Sequence, residues 1–261
     1  MSHAARLALA ILSVALLPLV AAAQPVPASV SVSGNTATVR IGPAAAPIAD
    51  LRLDFDDATG LSAASLGVSA ELVDVTAPAL LSRLPGSGAL VPGELPLMVT
   101  IEPPSLGGLS FRRVVHAELH THALVYTAGS RYRLLKAPLG GQFRDITGSV
   151  SPGSVRTRGT TGGFSQFLVV MDLRPTSDVV AGKLARLRAE AAKLPTTEAT
   201  PLLAQADAIE LALLDGRYAD AIGAAEAIRQ RVSARAGLAI PQEWRALRDR
   251  DNIAGELLAG V

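Results

Sequence analysis

The hydrophobic period of this chain changes once, near Arg174-Pro175, and that change limits its fold more than any other feature. Before it, apolar residues recur at every second position in short runs broken by Gly and Pro; after it, they recur every three to four residues in segments rich in Ala, Leu, Glu and Arg. A period of two places alternate side chains on opposite faces of a strand, and a period near 3.6 places them on one face of a helix. The chain therefore reads as α+β: an antiparallel β-sandwich over residues 24–174, then an antiparallel helical segment of three to four helices over residues 175–261.

Ser29-Val30-Ser31-Val32-Ser33 and Thr36 to Ile41 alternate on either side of Gly34-Asn35, the signature of a β-hairpin. Ile48 to Phe55, Val68 to Val75, Leu97 to Ile101, Phe111 to Tyr126, Tyr132 to Leu135, Ser149 to Val155 and Phe164 to Leu173 supply further strands, and Leu61 to Leu66 a short helix. Between 76 and 96, Pro78, Pro85, Pro92 and Pro96 interrupt any regular element. After the boundary, Ser177 or Asp178 is the expected N-cap of a helix carrying Val180, Leu184, Leu187, Ala191 and Leu194 on one face. Thr200-Pro201 reads as the start of a second helix, with proline at its first position. Gly216 separates it from a third, through Tyr218, Ile222, Ala225, Ile228 and Val232, and Pro241 opens a fourth with Trp244, Leu247 and Ala254. The turn Asp215-Gly216-Arg217 is short enough to fold the second and third helices into an antiparallel pair. Its surroundings look like a single tetratricopeptide turn, whereas an array of such units needs about three.

The first 23 residues have a different character. Arg6 precedes an apolar run from Leu7 to Val20, and Ala21, Ala22 and Ala23 lead into Gln24-Pro25. A positive start, a short apolar stretch and an Ala-x-Ala site describe a secretory signal peptide, too short to span a bilayer. Cleavage between Ala23 and Gln24 is expected, with export to the periplasm or the extracellular space and no membrane span in the mature chain. The chain has 24 basic and 23 acidic residues, and Arg6 is one of the basic ones, so the mature formal charge is near zero. That balance argues against nucleic acid, whose binding rests on phosphate neutralisation. The absence of cysteine from the sequence excludes disulfides, thiolate metal sites and thiol catalysis. With aromatics at 3%, the core has to be built from Ala, Val and Leu.

Three of the four histidines lie in His116-Ala117-Glu118-Leu119-His120-Thr121-His122. On a strand, His116, Glu118, His120 and His122 share one face, and Ala117, Leu119, Thr121, Ala123 and Val125 the other, more apolar one. His116 and His120 stand about 13 Å apart along a strand, beyond sharing a metal. Glu118, His120 and His122 are the candidate ligand set for zinc or copper, with Asp145 the additional carboxylate the sequence suggests. Asp50, Asp54, Asp56 and Asp57 read as the polar face of a strand rather than a calcium loop. Gly162-Gly163 and Gly140-Gly141 precede strands, not helices, so neither is a phosphate loop; they read as turn glycines. No residue set is assigned a catalytic role. A Ser–His–Asp triad would have to take its base from the 116–122 strand.

Glu118-Leu119-His120-Thr121-His122 resembles the first motif of polymerase-and-histidinol-phosphatase-type metal hydrolases, which implies a hydrolytic metal centre. Over most of its length the chain resembles an uncharacterised family of exported bacterial proteins, a domain of unknown function. The resemblance is carried by Glu118 to His122, Lys136-Ala137-Pro138-Leu139-Gly140-Gly141-Gln142-Phe143-Arg144-Asp145-Ile146-Thr147, Gly162-Gly163-Phe164-Ser165-Gln166-Phe167 and Ile240-Pro241-Gln242-Glu243-Trp244-Arg245. It implies no activity and no catalytic residues, and it implies a tail extending beyond Val261. The N-terminal half is loosely similar to cohesin-type adhesion modules, and the C-terminal half to a small helical accessory module of secreted proteins. Together these features lead to a non-enzymatic interaction or structural module of the cell envelope or secreted fraction, with an unknown protein or cell-surface partner. The alternative is a divalent-metal-binding protein or metal hydrolase built on Glu118, His120 and His122.

Overall fold

A computed structural model describes residues 23–164 and 166–261. The signal-peptide expectation for residues 1–22 lies outside the described residues. In chain order the elements are β1 (Gln24–Val26), β2 (Ala28–Ser33), β3 (Thr36–Ile41), β4 (Ala49–Thr59), α1 (Ala63–Leu66), β5 (Val68–Leu72), α2 (Pro78–Leu81), β6 (Ala89–Leu90) and β7 (Leu97–Ile101). There follow β8 (Ser110–Val125), β9 (Tyr132–Ala137), β10 (Arg144–Asp145), β11 (Thr147–Ser151), β12 (Ser154–Thr161), β13 (Gln166–Asp172), α3 (Thr176–Ala191), α4 (Thr196–Leu214), α5 (Tyr218–Arg235), β14 (Glu243–Arg245) and α6 (Ile253–Leu258). The protein is α+β, mostly strands before Arg174 and mostly helices after it, in keeping with the change of period.

The strands form two antiparallel sheets. One runs β1-β5-β7-β13-β9-β10 with β6 beside β13; the other runs β11-β12-β8-β4-β3-β2 with β14 beside β8. A shared core joins them: Val99, Leu134, Phe167 and Val169 from the first sheet pack with Val39, Leu51, Leu53, Val115, Leu119 and Val155 from the second. The second sheet is buried on one face only, so its strands alternate cleanly; Leu51, Leu53 and Phe55 are buried while Arg52 and Asp56 are exposed. The first sheet is buried on both. Leu135, Leu168 and Val170 point away from the shared core and are covered by Leu80, Leu84 and Phe143. That double burial explains the unbroken apolar run of β13, since a strand covered on both sides loses its polar alternation. It also gives the proline-punctuated 76–96 stretch a role, as the cover of that outer face.

Four local expectations are corrected. Ser149 to Val155 is not one strand but the two arms of the β11–β12 hairpin, turned at Pro152-Gly153, where Gly153 has a φ of 97°. The second long helix starts at Thr196, not at Thr200-Pro201, and contains Pro201 in its interior. Proline there removes the N–H that would bond the Thr197 carbonyl; the Arg231 guanidinium donates to that carbonyl instead, at 3.4 Å. The Pro241 segment is not a helix at Trp244. Glu243–Arg245 pairs with Ser110–Arg112 of β8, where β12 has run out, and Trp244 plugs the end of the core. Its ring stacks on Phe111 at 5.1 Å and meets Phe164 edge-on at 5.3 Å. The fourth helix, α6, comes later. The N-cap of α3 is Pro175 rather than Ser177 or Asp178.

α3, α4, α5 and α6 share their own core, through Leu187, Leu202, Ile209, Ile228, Val232 and Leu257. The short α6 joins it to the sheets by packing on β8 and β12. Gly162 permits this contact: a Cβ there would lie 2.5 Å from the Glu256 nitrogen. Gly162 is therefore a close-packing glycine rather than only a turn residue. No helix among the described residues is long and apolar enough to cross a membrane.

Candidate metal centre on the second sheet

The solvated face of the second sheet carries the histidines, and strand register decides what each one meets. β4 and β12 flank β8, with Asp50 opposite His120 on one side and Arg156 opposite it on the other. Two residues along, Glu118 lies between Arg52 and Arg158; two further, His116 lies between Asp54 and Thr160. Cross-strand neighbours of opposite charge attract, so this register pre-sorts the face into pairs.

Asp50, His120 and His122 converge. The His122 Nε2 to Asp50 Oδ2 distance is 2.9 Å, the two imidazole centroids are 4.5 Å apart, and one ligand atom from each of the three residues lies within 4.8 Å of the others. Tetrahedral zinc with ligands at about 2.1 Å needs donor atoms about 3.4 Å apart. Contraction by about an ångström through side-chain rotation would form such a three-ligand site, leaving one position for water. His122 is exposed and Asp50 half-buried, so both can rotate. Imidazole and carboxylate donors suit zinc and copper. Burial pushes the His120 imidazole below its ordinary value, and the charges of Arg156 and His122 push it the same way; a neutral imidazole is the form that ligates metal.

The structure does not bring Glu118 into this group. Glu118 pairs with Arg158 and, at 3.4 Å, with Arg156, so its charge is already engaged. Asp145 lies in the other sheet, beside Arg133 at 3.8 Å and Lys183 at 4.0 Å, too far round the fold to help. His116 faces Asp56 at 3.3 Å. Asp54 sits with Arg52 and Thr36, and Asp57 with Arg112, so these acids follow the strand-face reading. Two residues escaped the sequence reading. Asp50 belongs to a strand 70 positions earlier, whose register no local pattern reveals. Ser154, at the start of β12, bonds His120 Nε2 through its hydroxyl; a register shift between Ser154 and Arg156 brings it there. The Pro152-Gly153 turn was the available signal for that hairpin. Asp50 contacts His122 rather than orienting His120, so Ser154, His120 and Asp50 do not follow the order of an acyl-transfer triad.

The fold and this histidine-bearing face define an α+β protein of two stacked antiparallel sheets with an appended helical core. Residues 11–261 match a family of unknown function (DUF6689), and the chain belongs to that family. No curated protein and no solved structure matches it.

Proposed function

We propose that the protein is an exported, non-enzymatic module of the cell envelope or secreted fraction that holds one divalent transition metal, zinc or copper, on the solvated face of its second sheet. The observation that carries the metal reading is the convergence of Asp50, His120 and His122 within 4.8 Å. What supports export is the Arg6–Ala23 pattern, together with the position of Gln24 as the first residue of β1. Cleavage after Ala23 would leave every described strand and helix whole. A β-sandwich supports a display role, because both ends and one outer face of such a fold are free to present side chains.

The test is calorimetric titration of zinc and copper into tag-free chain starting at Gln24. The expected result is one-to-one, sub-micromolar binding, lost in His120→Ala/His122→Ala and weakened at least tenfold in Asp50→Asn. Glu118→Gln should bind like the parent. Absence of binding, or an Asp50→Asn variant that titrates like the parent, refutes the site.

A second reading rests on a separate observation. Leu211, Leu214, Tyr218 and Ile222, around the α4–α5 turn, are all more than half exposed. On this reading the hairpin docks an apolar segment of a protein partner in the envelope. Leu214→Asp/Ile222→Asp should then abolish retention of any protein the parent retains, and a pattern unchanged by the substitutions counts against it.

A further inference from the structure

A second concentration of charge lies inside the protein, where α3 and α6 meet the first sheet. Glu256 of α6 reaches three cations there. Its Oε1 accepts from Lys136 Nζ at 2.9 Å, and its Oε2 from Arg144 Nη2 at 2.6 Å and from Arg186 Nη2 at 2.7 Å. Arg186 also pairs with Glu190 at 3.1 Å, and Lys193 with Glu190 at 2.8 Å. These groups line a cavity of about 190 Å³, closed on another side by Gly162 and Gly163. Of the remaining lining charges, Arg248 pairs with Glu102 at 3.1 Å, and Asp251 adds a third carboxylate.

The inner charges do not balance. Four cations, Lys136, Arg144, Arg186 and Lys193, face three carboxylates, Glu190, Asp251 and Glu256. The Lys136 side chain is 3% exposed and Glu256 15%, so water screens this part of the cluster poorly. A donor is also left over: among the described residues, the buried Arg144 Nε meets no hydrogen-bond acceptor. A guanidinium nitrogen without an acceptor is a costly feature unless something supplies one. A water occupies about 30 Å³ of liquid, so the cavity has room for a five-atom oxyanion.

We propose that this cavity is a binding site for a tetrahedral oxyanion of the phosphate class. Arg144 supplies its free Nε–H, Arg186 and Lys136 supply the buried field, and Lys193 closes the mouth. Lys193 is half exposed on a flexible stem and can swing onto an anion without disturbing the fold. An excess of cations in the lining favours an anionic ligand, whose several acceptor oxygens can take donors converging from different elements. The site is separate from the histidine face and does not depend on metal being bound there.

The experiment is titration of inorganic phosphate into the tag-free mature protein at fixed ionic strength, with sulfate, acetate and chloride alongside. Saturable one-to-one phosphate binding, shared by sulfate and absent for chloride, is the expected result. Arg144→Lys keeps the charge and reaches Glu256 but lacks the Nε donor; Lys193→Ala alters an exposed position that leaves folding intact. Each should weaken phosphate at least tenfold while circular dichroism stays as in the parent. Phosphate heats no different from chloride, acetate binding as tightly as phosphate, or both variants titrating like the parent would each overturn the proposal.

Discussion

Replacing Glu256 with glutamine tests whether α6 is held to the sheets by charge. The glutamine is isosteric and can still accept a bond from Lys136, so packing is preserved and only the counter-charge is lost. Lys136 then sits almost fully buried, bonded to Thr161 Oγ1 at 2.6 Å, with the carboxylate bonded to its ammonium gone. It can stay charged, at a cost of several kcal/mol, or it can lose its proton. Deprotonation at pH 7 of a group that titrates near 10.4 in the unfolded chain costs about 1.36 kcal/mol per pH unit, or roughly 4.6 kcal/mol, and this is the ceiling. Arg144 and Arg186 remain about one-fifth exposed and relax toward water, adding at most about 1 kcal/mol each. The expected loss is about 3–5 kcal/mol, read from urea unfolding at pH 7 in phosphate-free buffer, as a lower midpoint at unchanged slope.

Two controls make the argument refutable. Lys136→Met in the Glu256→Gln background removes the stranded ammonium and should restore at least half of the loss, because apolar replacement of a buried pair is often neutral. The pH profiles should also differ. In the parent, burial pushes the Glu256 carboxyl up, but Lys136 and Arg186 outweigh it and hold it below its ordinary value. Its contribution is therefore complete above about pH 4.3 and fades as pH falls through the lower folded value. In Glu256→Gln that acid-side loss shrinks. Its stability instead rises from pH 7 toward about 10.4, because the unfolded lysine binds a proton that the folded one has released. A variant within about 1 kcal/mol of the parent, or a double variant no more stable than Glu256→Gln, would show that the network does not anchor α6 as argued.

Trp244→Ala should cost about 3–5 kcal/mol, because it empties a buried site stacked on Phe111 and edged by Phe164; a loss under about 1 kcal/mol in urea would mean that β14 does not close the core. His120 should titrate below about 6.5 by NMR, and Arg156→Gln should move its midpoint upward, since burial first and then Arg156 depress it. The unfolded chain binds that proton more readily, so stability falls as pH drops through the interval below about 6.5; an unshifted midpoint in Arg156→Gln would refute the assignment.

What could be read from the chain was whatever a local period decides. Alternation placed His116, Glu118, His120 and His122 on one face of β8, and every one of them lies there. Helical spacing placed Leu184, Leu187 and Ala191 in the helical core, where they are buried. The failures occur where a distant partner overrules the local signal. Pro201 looks like a helix start, yet the helix continues through it because Arg231, thirty residues later, takes the carbonyl the proline cannot serve. Trp244 sits at a spacing compatible with a helix, yet the exposed edge of β8 and the vacant end of the core make it a strand residue. Lys136 and Glu256 meet across 120 positions, and neither has a neighbour in sequence that hints at the other.

The candidate metal centre shows both behaviours at once. Within β8, Glu118 is as near to His120 as His122 is, so sequence alone favours it as the carboxylate ligand. The deciding quantity is the register of β4 and β12. In the observed register Arg52 and Arg158 flank Glu118, and Asp50 faces His120. A slip of one residue would turn Leu51, Leu53 and Phe55 out of the core, which their burial forbids. A slip of two would keep them inside but place Ile48 or Arg52 opposite His120, and the Asp50–His122 contact would be lost. The bulge between Phe55 and Asp57 marks where the β4–β8 pairing shifts. The apolar row of β4 therefore chooses the face and the strand register chooses the partner, so Asp50 is a ligand candidate because of how the core on the opposite side is packed.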